Sequence, residues 1–428
     1  MTVPFGREFR EKYFAFEDGV VELNHGSYGA APTQVIEAQM EHIKQKHAFP
    51  NRYLRYELFD ISKKCRQAIS TTVDADYHDL VFTPNATTAV NAVLRSHPWQ
   101  MGDKIAYLTT IYGACMNTLK FLEEQQDVRL IPVEIDVNAS PAENEAALRA
   151  VLHEHPDTKL AFLDTVSSMP AIVLPWENMV KICRDRGVLS FVDGAHGVGL
   201  LPISLRQARP DYFTSNIHKW MYGTTSCAVL YVDPSRQRQV ASLPISAIYV
   251  SPSQELSPEE SKKVLGNSFA YVATADYSAM QTTIELLKFR EEVCGGDQAI
   301  LDYQNNLAKK ASELVCKELN TTDIDNSGTP MAMFTVRFPL QLDPKLHLDF
   351  IDFAHDKFAN KYKTFIPLAT YNDELFARFS ASIYLDLEDF KSGVWAVKQV
   401  LKDWEVAAKH PKELLEPKLD AMPLGLPC

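Results

Sequence analysis

The chain has 428 residues, 46% of them hydrophobic, and carries a formal net charge of -12. Such a length exceeds what one core serves, so two domains are expected, and an acidic chain is poorly suited to nucleic acid or an anionic membrane surface. No apolar run reaches membrane-span length, the polar start from Met1 to Tyr13 lacks the apolar core of a secretory signal, and seven cysteines without metal-ligand spacing fit reduced thiols. A soluble, cytoplasmic protein is expected. Cys428 stands last and does not form the usual prenylation box.

In chain order, apolar runs bounded by turn residues predict strands at 80–83, 104–109, 128–135, 159–166, 189–192, 212–214 and 227–232. Between them the helical period predicts helices at 87–95, 113–124, 143–154 and 176–186. This alternation means α/β architecture with a mainly parallel sheet covered by helices. The large domain is expected over 50–285. Both chain ends, 1–49 and 286–428, are expected to form a smaller α+β domain, with strands at 331–338 and 377–384 and helices at 346–362 and 387–404. The Pro- and Glu-rich run 251–263 reads as an exposed loop or lid.

Two segments carry the chemistry, Asp193-Gly194-Ala195-His196 and Ser215-Asn216-Ile217-His218-Lys219-Trp220. Read singly, Lys219 beside Trp220 is a surface lysine lying over an aromatic, and Asp-Gly is a turn. Each follows a buried strand, however, and ligands of open α/β sheets bind at the carboxyl ends of strands. A lysine amine and a buried aspartate at that crevice are what pyridoxal phosphate needs: one to form a Schiff base, one to keep the pyridine nitrogen protonated. Where strand 80–83 runs through Pro84-Asn85-Ala86-Thr87-Thr88 into a helix, the residues taken alone read as plain helix caps, and beside the other segments they offer an anion site for the phosphate. Tyr112, just after a strand, reads by itself as a core aromatic and, beside this crevice, as one that could stack on a pyridine ring. The run His153-Glu154-His155 reads as solvated residues near a helix end, and no metal site is expected. No Gly-x-Gly-x-x-Gly follows the first strand, which excludes the usual nicotinamide site.

These motifs, taken with Leu23-Asn24-His25-Gly26-Ser27-Tyr28-Gly29, Thr110-Ile111-Tyr112-Gly113-Ala114-Cys115, Val166-Ser167-Ser168-Met169-Pro170 and Arg378-Phe379-Ser380-Ala381-Ser382, resemble the class V aminotransferase branch of fold-type I pyridoxal-phosphate enzymes. Within it they are most similar to the isopenicillin N epimerase-like group. The resemblance implies Lys219 as the Schiff-base lysine, Asp193 as partner of the pyridine nitrogen and His196 beside the cofactor's phenolic oxygen. It implies Tyr112 as the stacking residue and Ala86, Thr87, Ser215 and His218 around the phosphate. Thr274 resembles a threonine that reaches the phosphate of the neighbouring subunit, which implies a homodimer with shared active sites. Arg378 resembles the arginine that grips the carboxylate of an amino-acid substrate, with Asn24 and His25 on the same substrate side.

The implied activity is removal of the amino acid's Cα proton by the freed Lys219 amine, giving a carbanion that the family uses in several ways. Members of the group cleave carbon–sulfur bonds, close alkaloid rings by a Mannich-type carbon–carbon bond, or epimerise amino acids. Where the lyases have a Thr-Pro-Arg-Gly-Cys pattern, this chain reads Gly223-Thr224-Thr225-Ser226-Cys227. The lost arginine favours the ring-closing reading over the lyase. Cys115 and Cys227 read as buried small hydrophobes, not as desulfurase nucleophiles. A non-catalytic scaffold is disfavoured because Lys219, Asp193 and Arg378 are all present.

Overall fold

The computed structural model describes residues 3–325 and 327–408, so Cys428 and the rest of 409–428 lie outside the described residues. Its contacts divide into two units. The larger comprises Tyr28–Ser167 and Val173–Ala299. It holds a seven-stranded sheet of β1 (Leu80–Thr83), β2 (Lys104–Leu108), β3 (Arg129–Val133), β4 (Thr158–Asp164), β5 (Leu189–Asp193), β6 (Tyr212–Asn216) and β7 (Ala228–Val232) in the order β1-β7-β6-β5-β4-β2-β3. Neighbours from β6 to β3 pair parallel, as the alternation of strand and helix requires, while β7 runs antiparallel to both β6 and β1. The reversal has a simple cause. Only residues 217–227 separate β6 from β7, and a parallel return needs a crossover of about a dozen residues or more, usually a helix.

Strands β1, β6 and β7 are buried along their whole length, as expected of a sheet covered on both faces. Helix Ala86–Ser96 packs on β6 and β7, and helix Trp176–Asp185 on β4 and β5. The rings of Phe162 and Phe191 stack at 5.1 Å between adjacent strands. The loop expected at 251–263 is corrected by the structure: Pro258–Ala270 is an α-helix. Its capping box is explicit, the Glu260 carboxylate accepting from Ser257 N and Oγ at 2.9 and 2.6 Å. Proline at the first helical position and acidic residues in the first turn are helix-start signals here, not loop signals.

The smaller unit comprises the described residues within Met1–Ser27, Ser168–Ile172 and Ile300–Cys428. Its antiparallel sheet contains β8 (Met333–Arg337), β9 (Leu368–Tyr371) and β10 (Glu374–Ser380) in the order β8-β10-β9. The strand expected at 377–384 instead starts at Glu374, because Asn372 and Asp373 turn the chain with φ of +48° and +60° and pair β10 with β9. Helix Leu387–Ala407 begins at Asp386, whose carboxylate accepts from Glu388 N at 2.9 Å. The N-terminal segment is stitched to the C-terminal one. Gly6 N donates to Ile383 O at 2.9 Å, Val21 bridges Thr364, and Arg10 pairs with Asp389 at 2.9 Å. Among the described residues no helix is long and apolar enough to cross a membrane.

One packing detail of this unit sets an acid limit. His355 Nε2 accepts the Leu368 N–H at 3.0 Å, a role open only to the neutral ring. Burial depresses its pKa to about 4. A depressed folded-state pKa means that the stabilisation is fully present above the unfolded value of about 6.5 and is lost as pH falls from there through about 4, a total of about 3 kcal/mol. Urea unfolding at pH 7.5 and 4.5 should show this loss for the wild type and a smaller one for His355→Gln. Equal losses in both would remove His355 as the cause.

Candidate active site

β5 and β6 end side by side, and their carboxyl ends carry the two chemical segments. Asp193 is the last residue of β5 and lies in register with Thr214 of β6. It is 5% exposed. Its Oδ1 accepts from Ala195 N at 2.9 Å and its Oδ2 from the Cys115 thiol at 3.3 Å. Burial raises its pKa, and the Ala195 N–H and the Cys115 thiol oppose that rise by favouring the charged form. Cys115 is indeed buried, as a small hydrophobe would be, but its thiol also touches this carboxylate.

Lys219 sits three residues beyond β6 in the short return to β7 and is 9% exposed. Its Nζ lies 3.2 Å from His196 Nε2, and Trp220 Nε1 donates to His196 Nδ1 at 3.3 Å. An indole can only donate, so Nδ1 accepts and the proton of a neutral His196 resides on Nε2, facing the lysine. The return is held by backbone contact. Gly29, at φ +72°, passes so close to the His218 carbonyl that a Cβ would sit 1.8 Å from its oxygen, and Gly199, at φ +86°, would put one 2.6 Å from the Trp220 carbonyl. Arg290, 1% exposed, donates through Nη1 to the same Trp220 carbonyl at 3.1 Å and pairs with Asp297 at 2.7 Å. These residues fix where the Lys219 side chain starts.

At the start of helix Ala86–Ser96, the Asn216 side chain accepts from Ala86 N at 2.9 Å and Asn85 accepts from Thr88 N at 2.8 Å. The Ala86 N–H expected at a phosphate is therefore taken by Asn216, and the Thr88 hydroxyl donates to Asn85 Oδ1 at 3.0 Å, which leaves the Thr87 N–H and hydroxyl at the positive end of the helix. Ser215 is fully buried and its Oγ accepts from Val198 N at 3.0 Å, which keeps the hydroxyl proton available to donate. His218 Nδ1 contacts the Cys227 carbonyl at 3.0 Å and must donate to it, while burial lowers its pKa to about 4. Tyr112 caps helix Gly113–Gln126 and packs against the core around Cys115. Thr274 does not join this group. It is exposed on the loop following helix Pro258–Ala270, a loop pinned by Tyr277, whose hydroxyl accepts from Val272 N at 3.1 Å.

The residues expected on the substrate side lie in the smaller unit. Arg378 in β10 is fully buried. Its guanidinium donates to Asn24 Oδ1 at 2.9 Å, Ser27 Oγ at 2.6 Å and Ser168 O at 2.7 Å. Asn24 is thus brought to Arg378, whereas His25 turns to the Tyr384 hydroxyl at 3.0 Å. Asp164, Asn216, Trp220 and Arg290 were given no role by their sequence context. The first two are polar residues at the carboxyl ends of buried strands, the same signal that marks Asp193.

The family model of aminotransferase class-V matches residues 28–290. The chain is 29% identical over 404 residues to the hercynylcysteine sulfoxide lyase of Schizosaccharomyces pombe, covering 94% of this chain and 98% of that one. It is 27% identical over 440 residues to the L-cysteine desulfhydrase-like protein lolT1 of Epichloe uncinata, covering 94% and 97%. Among solved structures, a mutant of C-DES with glycine covalently linked to its PLP cofactor aligns with a TM-score of 0.70 at 19% identity, covering 91% of this chain and 98% of that one. The fold is that of fold-type I pyridoxal-phosphate enzymes. The chain belongs to the class V aminotransferase family and is an enzyme that depends on pyridoxal phosphate. The residues present fit that cofactor: a buried amine, a buried carboxylate on the neighbouring strand, and a helix start with Thr87 at its positive end.

Proposed function

We propose that the chain is a lyase that removes the Cα proton of a cysteine-derived amino acid and expels the sulfur substituent from Cβ. The observation that carries this reading is the buried Lys219 amine 3.2 Å from His196 Nε2, on the strand end adjoining Asp193. When bound, pyridoxal phosphate supplies an electron sink that acidifies the Cα–H of an attached amino acid. Lys219 would hold the cofactor in the resting enzyme and, once displaced, would take the Cα proton onto Nζ. His196, with its Nε2 proton fixed by Trp220, donates toward the same locus. Asp193, when ionised, would hold a proton on the pyridine nitrogen. Tyr112 would cover the ring, and Thr87, Ser215 and His218, with Ala86 beside them, would hold the phosphate. Departure of the sulfur with its bonding pair leaves an unsaturated amine that hydrolyses to pyruvate and ammonia when the sulfur leaves a simple cysteine skeleton. The names of the relatives, a sulfoxide lyase and a desulfhydrase-like protein, support a carbon–sulfur bond as the one broken.

Arg378 takes the substrate carboxylate in this reading, its fork oriented by Asn24, Ser27 and Ser168. Arg378→Lys should raise KM roughly 30-fold, from about 2 kcal/mol of lost bidentate binding, with cofactor content unchanged. Loss of cofactor at unchanged KM would move Arg378 out of the substrate site. The enzyme is a homodimer in which Thr274, on its exposed loop, reaches the phosphate held by a second copy. A monomer proven by sedimentation that keeps its full cofactor would refute that.

A second reading, ring closure by a Mannich-type carbon–carbon bond in alkaloid formation, is favoured by the return loop. Thr225 is exposed and neutral where the lyase pattern has arginine, and Ser226 adopts φ +72° where that pattern has glycine. The deciding experiment incubates the cofactor-loaded enzyme with an S-substituted cysteine sulfoxide, with and without a cyclic imine, and reads products by mass. Pyruvate and a released sulfur fragment independent of the imine establish the lyase. An adduct joining the amino acid to the imine, without pyruvate, establishes the cyclase and overturns the first reading.

A further inference from the structure

The carboxylate expected at the pyridine nitrogen is not alone. Asp164 ends β4 as Asp193 ends β5, and the two are direct partners in the parallel register. Register partners in parallel strands project to the same face of the sheet. Both are buried, at 4% and 5% exposure. Their hydrogen bonding differs. Asp193 receives the Ala195 N–H and the Cys115 thiol, two donors that favour a charged carboxylate, whereas Asp164 Oδ2 receives no hydrogen bond among the described residues.

We propose that Asp164 is a positioning residue that carries the single proton shared by these two carboxylates, and so keeps Asp193 ionised for the pyridine nitrogen. Two like charges on adjacent buried strand ends cannot both persist, and the proton settles on the member whose charged form is less well solvated. Were Asp164 ionised, its charge would drive a proton onto Asp193, and a protonated Asp193 does not hold a pyridinium. The groups facing the pair are Cys115 from helix Gly113–Gln126 and Lys219 from the return after β6, which favour a charged Asp193, and the Thr110 hydroxyl from the segment after β2, which is a single neutral donor toward Asp164 and closes no hydrogen bond to its Oδ2. Burial first, and then the charge of Asp193, pushes the Asp164 carboxyl well above the ordinary range, in agreement with the geometry.

The inference rests on Asp193 being the pyridine partner, yet its test does not need turnover. Infrared spectra of the full chain at pH 8, with and without cofactor and in light and heavy water, should contain the carbonyl stretch of a protonated carboxylic acid. That band should disappear in Asp164→Asn. Glu22, Asp323 and Asp389 are also raised by burial, so the difference spectrum makes the assignment. In Asp193→Asn the band should persist but shift, because its charged neighbour is gone. Cofactor affinity of Asp164→Asn should stay within roughly threefold of wild type, since an amide replaces a neutral acid of the same shape, while Asp193→Asn should lose at least about tenfold. A band unaffected by Asp164→Asn, or one lost or unshifted in Asp193→Asn, overturns the proposal. If Asp164→Asn does not fold, the wild-type and Asp193→Asn spectra still decide. A failed cofactor reading shows separately, as no visible absorbance of bound cofactor in the wild type.

Discussion

Lys219→Ala is expected to abolish the visible absorbance of lysine-bound cofactor and to lower turnover by roughly 10³-fold or more, the loss of a positioned general base and of covalent attachment together. His196 Nε2 meets Lys219 Nζ at 3.2 Å, and an imidazole forms no stable link of this kind. Absorbance spectra and single-turnover kinetics check the result. Adding a small primary amine should restore part of the rate without restoring the attachment. A variant with wild-type absorbance would show that the cofactor is held elsewhere.

Asp193→Ala should weaken cofactor binding and lower the rate by about 10²–10³-fold, the usual cost of removing one preorganised charge from a buried site. Its effect differs in kind from that of Lys219. The covalent link survives, so the loaded variant remains coloured, but the pyridine nitrogen loses the anion that keeps it protonated. The thiol of Cys115 and the Ala195 N–H lose their acceptor at the same time. Equilibrium dialysis of the cofactor and the pH dependence of the visible band measure both losses. An unchanged rate in the fully loaded variant would place the nitrogen against another group.

The strands of the large sheet were legible because a sheet covered on both faces writes itself as short apolar runs, and the polar residues closing those runs at Asp193 and Asn216 mark the carboxyl ends. Direction was not written there. That β7 runs against its neighbours follows from the length of the 217–227 return, a spacing argument that periodicity alone does not make. Helix Pro258–Ala270 was hidden by its own start signals: proline and glutamate read as loop composition until the Ser257–Glu260 box is recognised. β9 was missed because only Leu368 of its four residues is buried and its turn, Asn372-Asp373, is the stronger signal. In the site, residues tied to a motif were nameable, but Asp164 belongs to none. Its importance comes from register with Asp193, and register between strands 29 residues apart in sequence appears only once the sheet is built. Arg378 with Asn24 was likewise accessible only by resemblance, since 354 positions separate them.

The smaller unit sews the first residues of the chain to the last described ones, and this has a cost during synthesis. Val21 leaves the ribosome long before Thr364, its bridge partner, exists. At roughly 5–20 residues per second the interval is on the order of tens of seconds. Throughout it Phe9 and Phe14, both buried in the finished protein, have no completed surface to cover them, while the strands from Leu80 to Val232 already have every partner they need. The order of assembly is therefore written into the topology: the sheet that bears Lys219 forms on the nascent chain, and the segment carrying Asn24 joins Arg378 only after most of the polypeptide has been made.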